Sequence, residues 1–268
     1  MGTIQGMKRQ WGAVLLLACT MGAWAQAPQT NVSLVTEQSA VKPGSTVWVG
    51  LHFQLEPGWH MYWVNPGDAG EPAKAQWALP AGWSASDFQW PAPTRLENAA
   101  GVDYGYNEQA TLLTKVKVPA TAKSGPNDLK ADLRWLVCKD VCVPQKGTAT
   151  ATVRVAPTTI SDPNGKAVIS AAKGQLPKTI PEEWKANVIT SPGQMLLNFM
   201  PGTKVNDAVF FPIEKQVIEN AAPQKLSATS TRAQLSLKRD ASGPKPKVLK
   251  GVLVVDGKDA YAVNLAVK

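Results

Sequence analysis

An all-β chain built as two β-sandwiches, the second smaller than the first, is the architecture this sequence predicts, and three observations carry it. Neither half shows long helical periodicity. Short runs rich in β-branched and aromatic residues, at 46–53, 110–118, 195–199 and 248–255, are each cut off by Gly, Pro or Asn. Strands separated by turns at this density suit a sandwich in each half. Composition then changes midway. Residues 26–156 hold eleven Lys+Arg against eleven Asp+Glu and seven Trp, whereas residues 157–268 hold fifteen against nine and only Trp184. The excess positive charge of the mature chain therefore sits in the second half. Two domains follow, 26–156 and 182–268. Between them lies a segment, 157–181, whose prolines and glycines give it the composition of a linker, with room for a short helix at Lys166 to Lys173.

Residues 1–25 read as an export signal. Lys8 and Arg9 form the basic start, Val14 to Cys19 the short apolar core, and Ala23-Trp24-Ala25 a cleavage site before Gln26. An alternative takes Leu16-Leu17-Ala18-Cys19 as a loose lipobox, with Cys19 lipidated and the protein tethered to a membrane. In both cases Cys19 does not pair with the other two cysteines, which reach an oxidising compartment where a disulfide persists. No run after residue 30 approaches the roughly 18 apolar residues of a membrane span. The mature chain is expected to be soluble and monomeric.

Further along, Pro57 to Pro72 contains Trp59-His60-Met61-Tyr62-Trp63 followed by Asn65-Pro66-Gly67-Asp68. The first half predicts a strand, and the second a Gly/Pro loop too rich in turn formers to be core. His60 and Tyr62 share a face. Their rings either pack in the sandwich or stand beside the cysteines as hydrogen-bond donors. Residues 97–107, with Ala99, Ala100, Gly101, Gly105 and two tyrosines, predict a small-residue loop. It is either a plain hairpin connection or a lid that lays Tyr104 and Tyr106 over a reactive group.

Leu133 to Lys146 holds the remaining cysteines and is the stretch the rest serves. Leu133 to Cys138 reads as a strand and Val143 to Val155 as its return, so Cys138 and Cys142 face each other across three residues. Cross-strand Cα atoms lie roughly 4.5 to 5.5 Å apart, inside the range a disulfide needs. A bridge closing so short a loop removes only about 2 kcal/mol of chain entropy, which makes it a poor staple. A three-residue hairpin usually wants a left-handed residue at its last position, here Val141, so strain is expected. Alternation puts Leu133, Trp135 and Val137 on a core face, and Arg134, Leu136 and Cys138 outward, with Arg134 and Lys139 favouring the thiolate and Asp140 partly offsetting them. Spacing alone leaves a redox role and a structural bridge both open.

Other chemistry is thinner. There is no phosphate loop, no G-x-S-x-G and no dinucleotide fingerprint. The basic residues of the second half are spread singly, as on a solvated surface and not on a nucleic-acid site. C-x-x-x-C with two histidines in the chain is a poor zinc pattern. Soft Cu(I) held by Cys138, Cys142 and Met61, with His52 or His60 in reserve, remains an alternative.

Taken together, the export signal, Trp59 to Trp63, Tyr104-Gly105-Tyr106, and Trp135 to Pro144 with its two cysteines resemble the N-terminal periplasmic domain of the DsbD-type thiol:disulfide interchange proteins. The likeness is closer to the ScsB-like branch associated with copper tolerance. It covers residues of about 30 to 155. Val209 to Pro212 and Leu249 to Val255 are similar to a second β-domain of that branch.

The resemblance implies an immunoglobulin-like sandwich whose catalytic pair is Cys138 and Cys142. It further implies a cap loop at Tyr104 to Tyr106 and, at Tyr62, a tyrosine near the cysteines; His60 and Asp103 are expected to support this cap and site. No cofactor is implied. The expected partners are thioredoxin-like redox proteins and a separate membrane electron donor, because the membrane-spanning and thioredoxin-like parts of the best-known relatives are missing here. Those relatives have five residues between their cysteines where this chain has three. An immunoglobulin-like adaptor with an inert disulfide is the alternative from the binding class. Of the two sulfurs, Cys142 is expected to bond the partner and Cys138 to resolve.

Overall fold

The computed structural model of the protein describes Gly2 and residues 30–99 and 101–268; the export signal, its cleavage after Ala25 and the lipobox cysteine lie outside the described residues. The first unit is an immunoglobulin-like sandwich of two sheets. One sheet runs in the order Asn31–Thr36, Thr46–Gln54, Gln109–Lys117, Ser84–Ala85. The other begins with Ile160–Ser161, Gln38–Val41, Cys142–Val155 and Gly125–Cys138, and continues through His60–Gly67, Gly101–Asn107 and Thr94–Asn98. Lys74–Ala78 pairs with the far part of Gly125–Cys138.

Alternation builds the core between the sheets. Val47, Val49, Leu51 and Phe53 come from one sheet, and Leu129, Ala131, Leu133, Trp135 and Val137 from the other, all buried. Phe53 and Trp135 meet edge to face with ring centres 5.6 Å apart. The cysteine hairpin is longer than its apolar part suggests. Its strands pair over fourteen rungs, from Gly125 opposite Val155 to Cys138 opposite Cys142. Polar residues such as Asp128, Lys130 and Asp132 hide the strand from an apolar search, because they occupy its solvent face.

The second unit is a smaller sandwich of two four-stranded sheets. Its core is formed by Val188, Met195, Leu197, Phe199, Phe210, Leu235, Leu237, Leu249 and Leu253.

The segment with linker composition is ordered and packed. Its helix runs Pro163–Gly174, beyond the expected 166–173 at both ends, because Asp162 caps it by accepting from the Asn164 and Gly165 amides and Pro163 opens it. Ile169 and Ala172 bury against Leu113 beside Val35 and Trp48, on the outer face of the first sheet. Full burial of Ile169 is worth about 1.5 to 3 kcal/mol. Lys173 pairs with Glu37 at 2.8 Å and lies over the Trp48 ring.

The expected Gly/Pro loop after Trp63 is a joint between the units. The strand continues to Gly67, and Asn65, expected outside the core, is buried there. Its amide donates to the Pro212 carbonyl at 2.8 Å and to the Glu214 carbonyl at 3.3 Å. Phe211 inserts beside it, edge to face with both Trp63 and Tyr104. Asn65→Ala strands these contacts, so it should lower stability by about 1 to 3 kcal/mol in chemical denaturation. An unchanged denaturation midpoint would show that the joint holds without them.

Candidate redox site

The site begins with register. Cys138 and Cys142 are directly opposite in the last rung of the hairpin, with Cα atoms 4.1 Å apart, and their sulfurs are bonded at 2.03 Å. The turn Lys139-Asp140-Val141 closes without a left-handed residue: Val141 is absent from the positive-φ positions, so the strain expected of it is not there.

The two sulfurs are unequal. Cys142 is exposed, while Cys138 is 3% exposed. The sequence places Cys138 on an outward face, but a strand distant in the chain covers it. His60–Gly67 pairs beside the hairpin end with His60 opposite Cys138 and Met61 opposite Val137. Period-two alternation then sends His60 and Tyr62 to the cysteine side and Met61 and Trp63 into the core. The Tyr62 hydroxyl donates to Cys138 Sγ at 2.8 Å and lies 3.5 Å from Cys142 Sγ.

Around Tyr62 the packing is close. Gly70, at φ +89°, leaves room for the phenol: a Cβ there would lie 2.2 Å from the ring. Burial first, and the Asp103 charge second, push the phenol up to about 12, so it remains a donor at neutral pH. His60 meets Tyr62 edge to face, ring centres 5.3 Å apart, and its Nε2 lies 3.9 Å from Asp103 Oδ2.

Desolvation holds the imidazole below its ordinary range and Asp103 partly offsets this; the Asp103 carboxyl is itself raised by burial. Asp103 accepts from the Ala69 amide at 3.0 Å and from the Asn98 side chain at 2.7 Å. The structure thus brings Cys138, Cys142, Tyr62, His60 and Asp103 together.

Tyr104 and Tyr106 do not join them, and the displaceable cap expected at 98–107 is overturned. Gly101–Asn107 is a strand between two neighbours, held so close that a Cβ on Gly105 would lie 2.1 Å from the Met61 carbonyl. On it Asp103 faces the site and the two tyrosines face the opposite, core side. Tyr104 is fully buried against Phe211 and donates to Asn220 at 3.0 Å. Tyr106 donates to the Pro91 carbonyl at 2.8 Å. Replacing both would excavate core and uncover no sulfur.

Met61 is likewise wrong for copper: it is completely buried on the core face, turned from both sulfurs. His52 stands in the other sheet, with Nδ1 2.8 Å from the Thr111 hydroxyl. Among the described residues no cluster of three or more His, Cys, Asp or Glu could hold a metal. Arg134, expected beside the thiolate, stands four residues along the strand, about 13 Å away.

What sequence reasoning missed is the support behind Tyr62. Asp68 accepts from the Val102 amide at 2.7 Å and from Asn220 of the second domain at 2.8 Å. The only signal was the small, acidic composition of Asp68-Ala69-Gly70.

Residues 31–154 match the family model described as thiol:disulfide interchange protein DsbD, N-terminal. Among solved structures, the N-terminal periplasmic domain of ScsB from Proteus mirabilis is similar at 19% identity with a TM-score of 0.69, over 89% of this chain and 93% of that one. That likeness shows the fold, including the second domain. The seventh ScaB type I cohesin from Pseudobacteroides cellulosolvens aligns at 15% identity over 47% of this chain and 93% of that one, with a TM-score of 0.30. No curated protein sequence matches the chain.

Two measurements probe this geometry. A hydrogen bond to a thiolate is worth about 1.5 to 3 kcal/mol. Tyr62→Phe removes one that favours the reduced state, so the reduction potential should fall by roughly 30 to 60 mV. A potential unchanged in Tyr62→Phe would mean the hydroxyl does not distinguish the two redox states.

Because the folded pKa of His60 is depressed, its share of stability is present above about pH 6.5 and fades as pH falls below it. Asp103→Asn removes the attraction that offsets burial. It should move the His60 ring titration, followed by NMR, further down; an upward move would contradict the assigned causes.

Proposed function

Residues 31–154 being a DsbD-type N-terminal domain, we propose that this chain is a periplasmic thiol:disulfide interchange protein exchanging electrons with thioredoxin-like partners through Cys138 and Cys142. The observation that carries this reading is the asymmetry of the bridge: one sulfur open to attack, the other buried under a hydroxyl donor. A structural disulfide has no use for that arrangement.

In the oxidised protein a partner thiolate attacks Cys142 Sγ from solvent. The S–S bond breaks, its electron pair leaves with Cys138, and the Tyr62 hydroxyl stabilises the new thiolate. A second partner thiolate then displaces Cys142 from the mixed disulfide, leaving the partner oxidised and this chain a dithiol. Run in the other direction, the Cys142 thiolate attacks a partner disulfide, and Cys138 resolves the mixed disulfide by attacking Cys142 Sγ. In this reading a separate membrane-bound donor supplies the electrons, thioredoxin-like clients receive them, and export with cleavage after Ala25 delivers the chain to the periplasm.

Cysteine variants test the roles. Cys138→Ala should accumulate mixed disulfides with partner proteins on non-reducing gels, because Cys142 can bond but nothing resolves it. Cys142→Ala should accumulate few, since the remaining thiol is buried. The reverse pattern exchanges the two roles, and no trapped complex with either variant sinks the shuttle.

A further inference from the structure

We propose that the outward face of the cysteine hairpin is a docking strip for a thioredoxin-like partner whose active-site rim is acidic. This deepens the shuttle reading and rests on Cys142 being the attacked sulfur. The strip is read off the register. Behind the disulfide rung comes an apolar rung, Leu136 opposite Pro144, and behind that a basic one, Arg134 opposite Lys146. Lys74 pairs with Arg134 from the other side, so three cations form one row across three adjacent strands.

All three are exposed. Lys74 has Glu71 at 3.2 Å, while among the described residues no salt bridge joins Arg134 or Lys146 to a carboxylate. The contrast with the same face further along is direct: Lys130 is paired with Asp132 at 3.2 Å, and Asp132 also accepts from Thr148. Like charges directly opposite on a sheet are destabilising, so folding gains nothing from this row. A carboxylate from outside would relieve it.

Geometry suits a protein partner. Val141 beside Cys142 is 64% exposed, and a groove of about 600 Å³ runs along Pro72, Trp135, Leu136 and Pro144 to the three cations. Val141, Leu136 and Pro144 put apolar surface beside the reactive sulfur, next to the exposed Lys139 and Asp140 of the turn, and a patch of apolar surface with a charged edge is the layout of a protein interface. An interface of roughly 800 Å² per partner is about 30 Å across. Centred on Cys142, its rim reaches the basic row about 13 Å away. Rim charges act mainly on the association rate and its salt dependence.

The test measures the second-order rate constant for reduction of the disulfide by a reduced thioredoxin of net negative charge, with dithiothreitol as an uncharged comparison. R134E/K146E should slow the thioredoxin reaction on the order of tenfold or more at low salt and flatten its salt dependence. R134Q/K146Q should fall between, and dithiothreitol should reduce all three proteins alike.

Equal thioredoxin rates in wild type and both variants would overturn the docking strip and leave the shuttle standing. A wild type that exchanges with no thioredoxin would overturn both. Equal rates together with binding of the wild type alone to phosphatidylglycerol vesicles would overturn it in favour of a lipid surface.

Discussion

The hydrogen bond from Tyr62 to Cys138 depends on two strands meeting in one register, and the rest of the site depends on that bond. The sheet register of His60–Gly67 on the hairpin rests on two pairs, Met61 with Val137 and His60 with Cys138. A slip by one residue would send Met61 and Trp63 to the sulfurs and bury His60 and Tyr62 in the core. Register is held by what lies on the far face. Met61, Trp63 and Val137 are buried there with the two tyrosines of the neighbouring strand. The apolar face thus sets the position of the reactive one.

The same alternation separates stability from chemistry along each strand. On the hairpin, Leu133, Trp135 and Val137 hold the sandwich, while Arg134, Leu136 and Cys138 look outward. On Gly101–Asn107, Tyr104 and Tyr106 hold the core and Asp103 serves the site. Burial is then applied unevenly to the two cysteines. In the proposed exchange, a buried leaving sulfur with a donor close by and an exposed one at the tip would fix the direction of attack.

Much of this was legible in the sequence, and what was not has physical causes. The strands, the facing cysteines and the common face of His60 and Tyr62 follow from spacing alone. Burial of Cys138 does not, because its cover comes from residues more than seventy positions earlier. The misread cap has a different origin. Glycines and alanines between polar residues are the composition of a mobile loop, but also of a strand that approaches its sheet neighbour too closely for a side chain, as Gly105 shows against Met61. Composition cannot separate the two. Linker composition hides the packed helix for a similar reason: its flanking prolines and glycines mark its ends, and the apolar stripe of Ile169 and Ala172 is too short to announce a docking face.

The second domain is tied to the cysteine site by a continuous chain of contacts. Asn220 donates to Asp68 and accepts from Tyr104. Asp68 holds the Val102 amide, and the next residue, Ala69, donates to Asp103 beside His60. One residue further, Gly70 lies against the Tyr62 ring. Each link is a backbone or short side-chain contact with little slack, so displacing the second domain would loosen the segment that backs the phenol. The phenol is held at its ring by Gly70 and at its hydroxyl by the bridge, so loosening that segment frees it to leave the sulfur. The inter-domain joint at Asn65 and Phe211, distant from the sulfurs in sequence, therefore bears on how firmly the hydroxyl is aimed at Cys138.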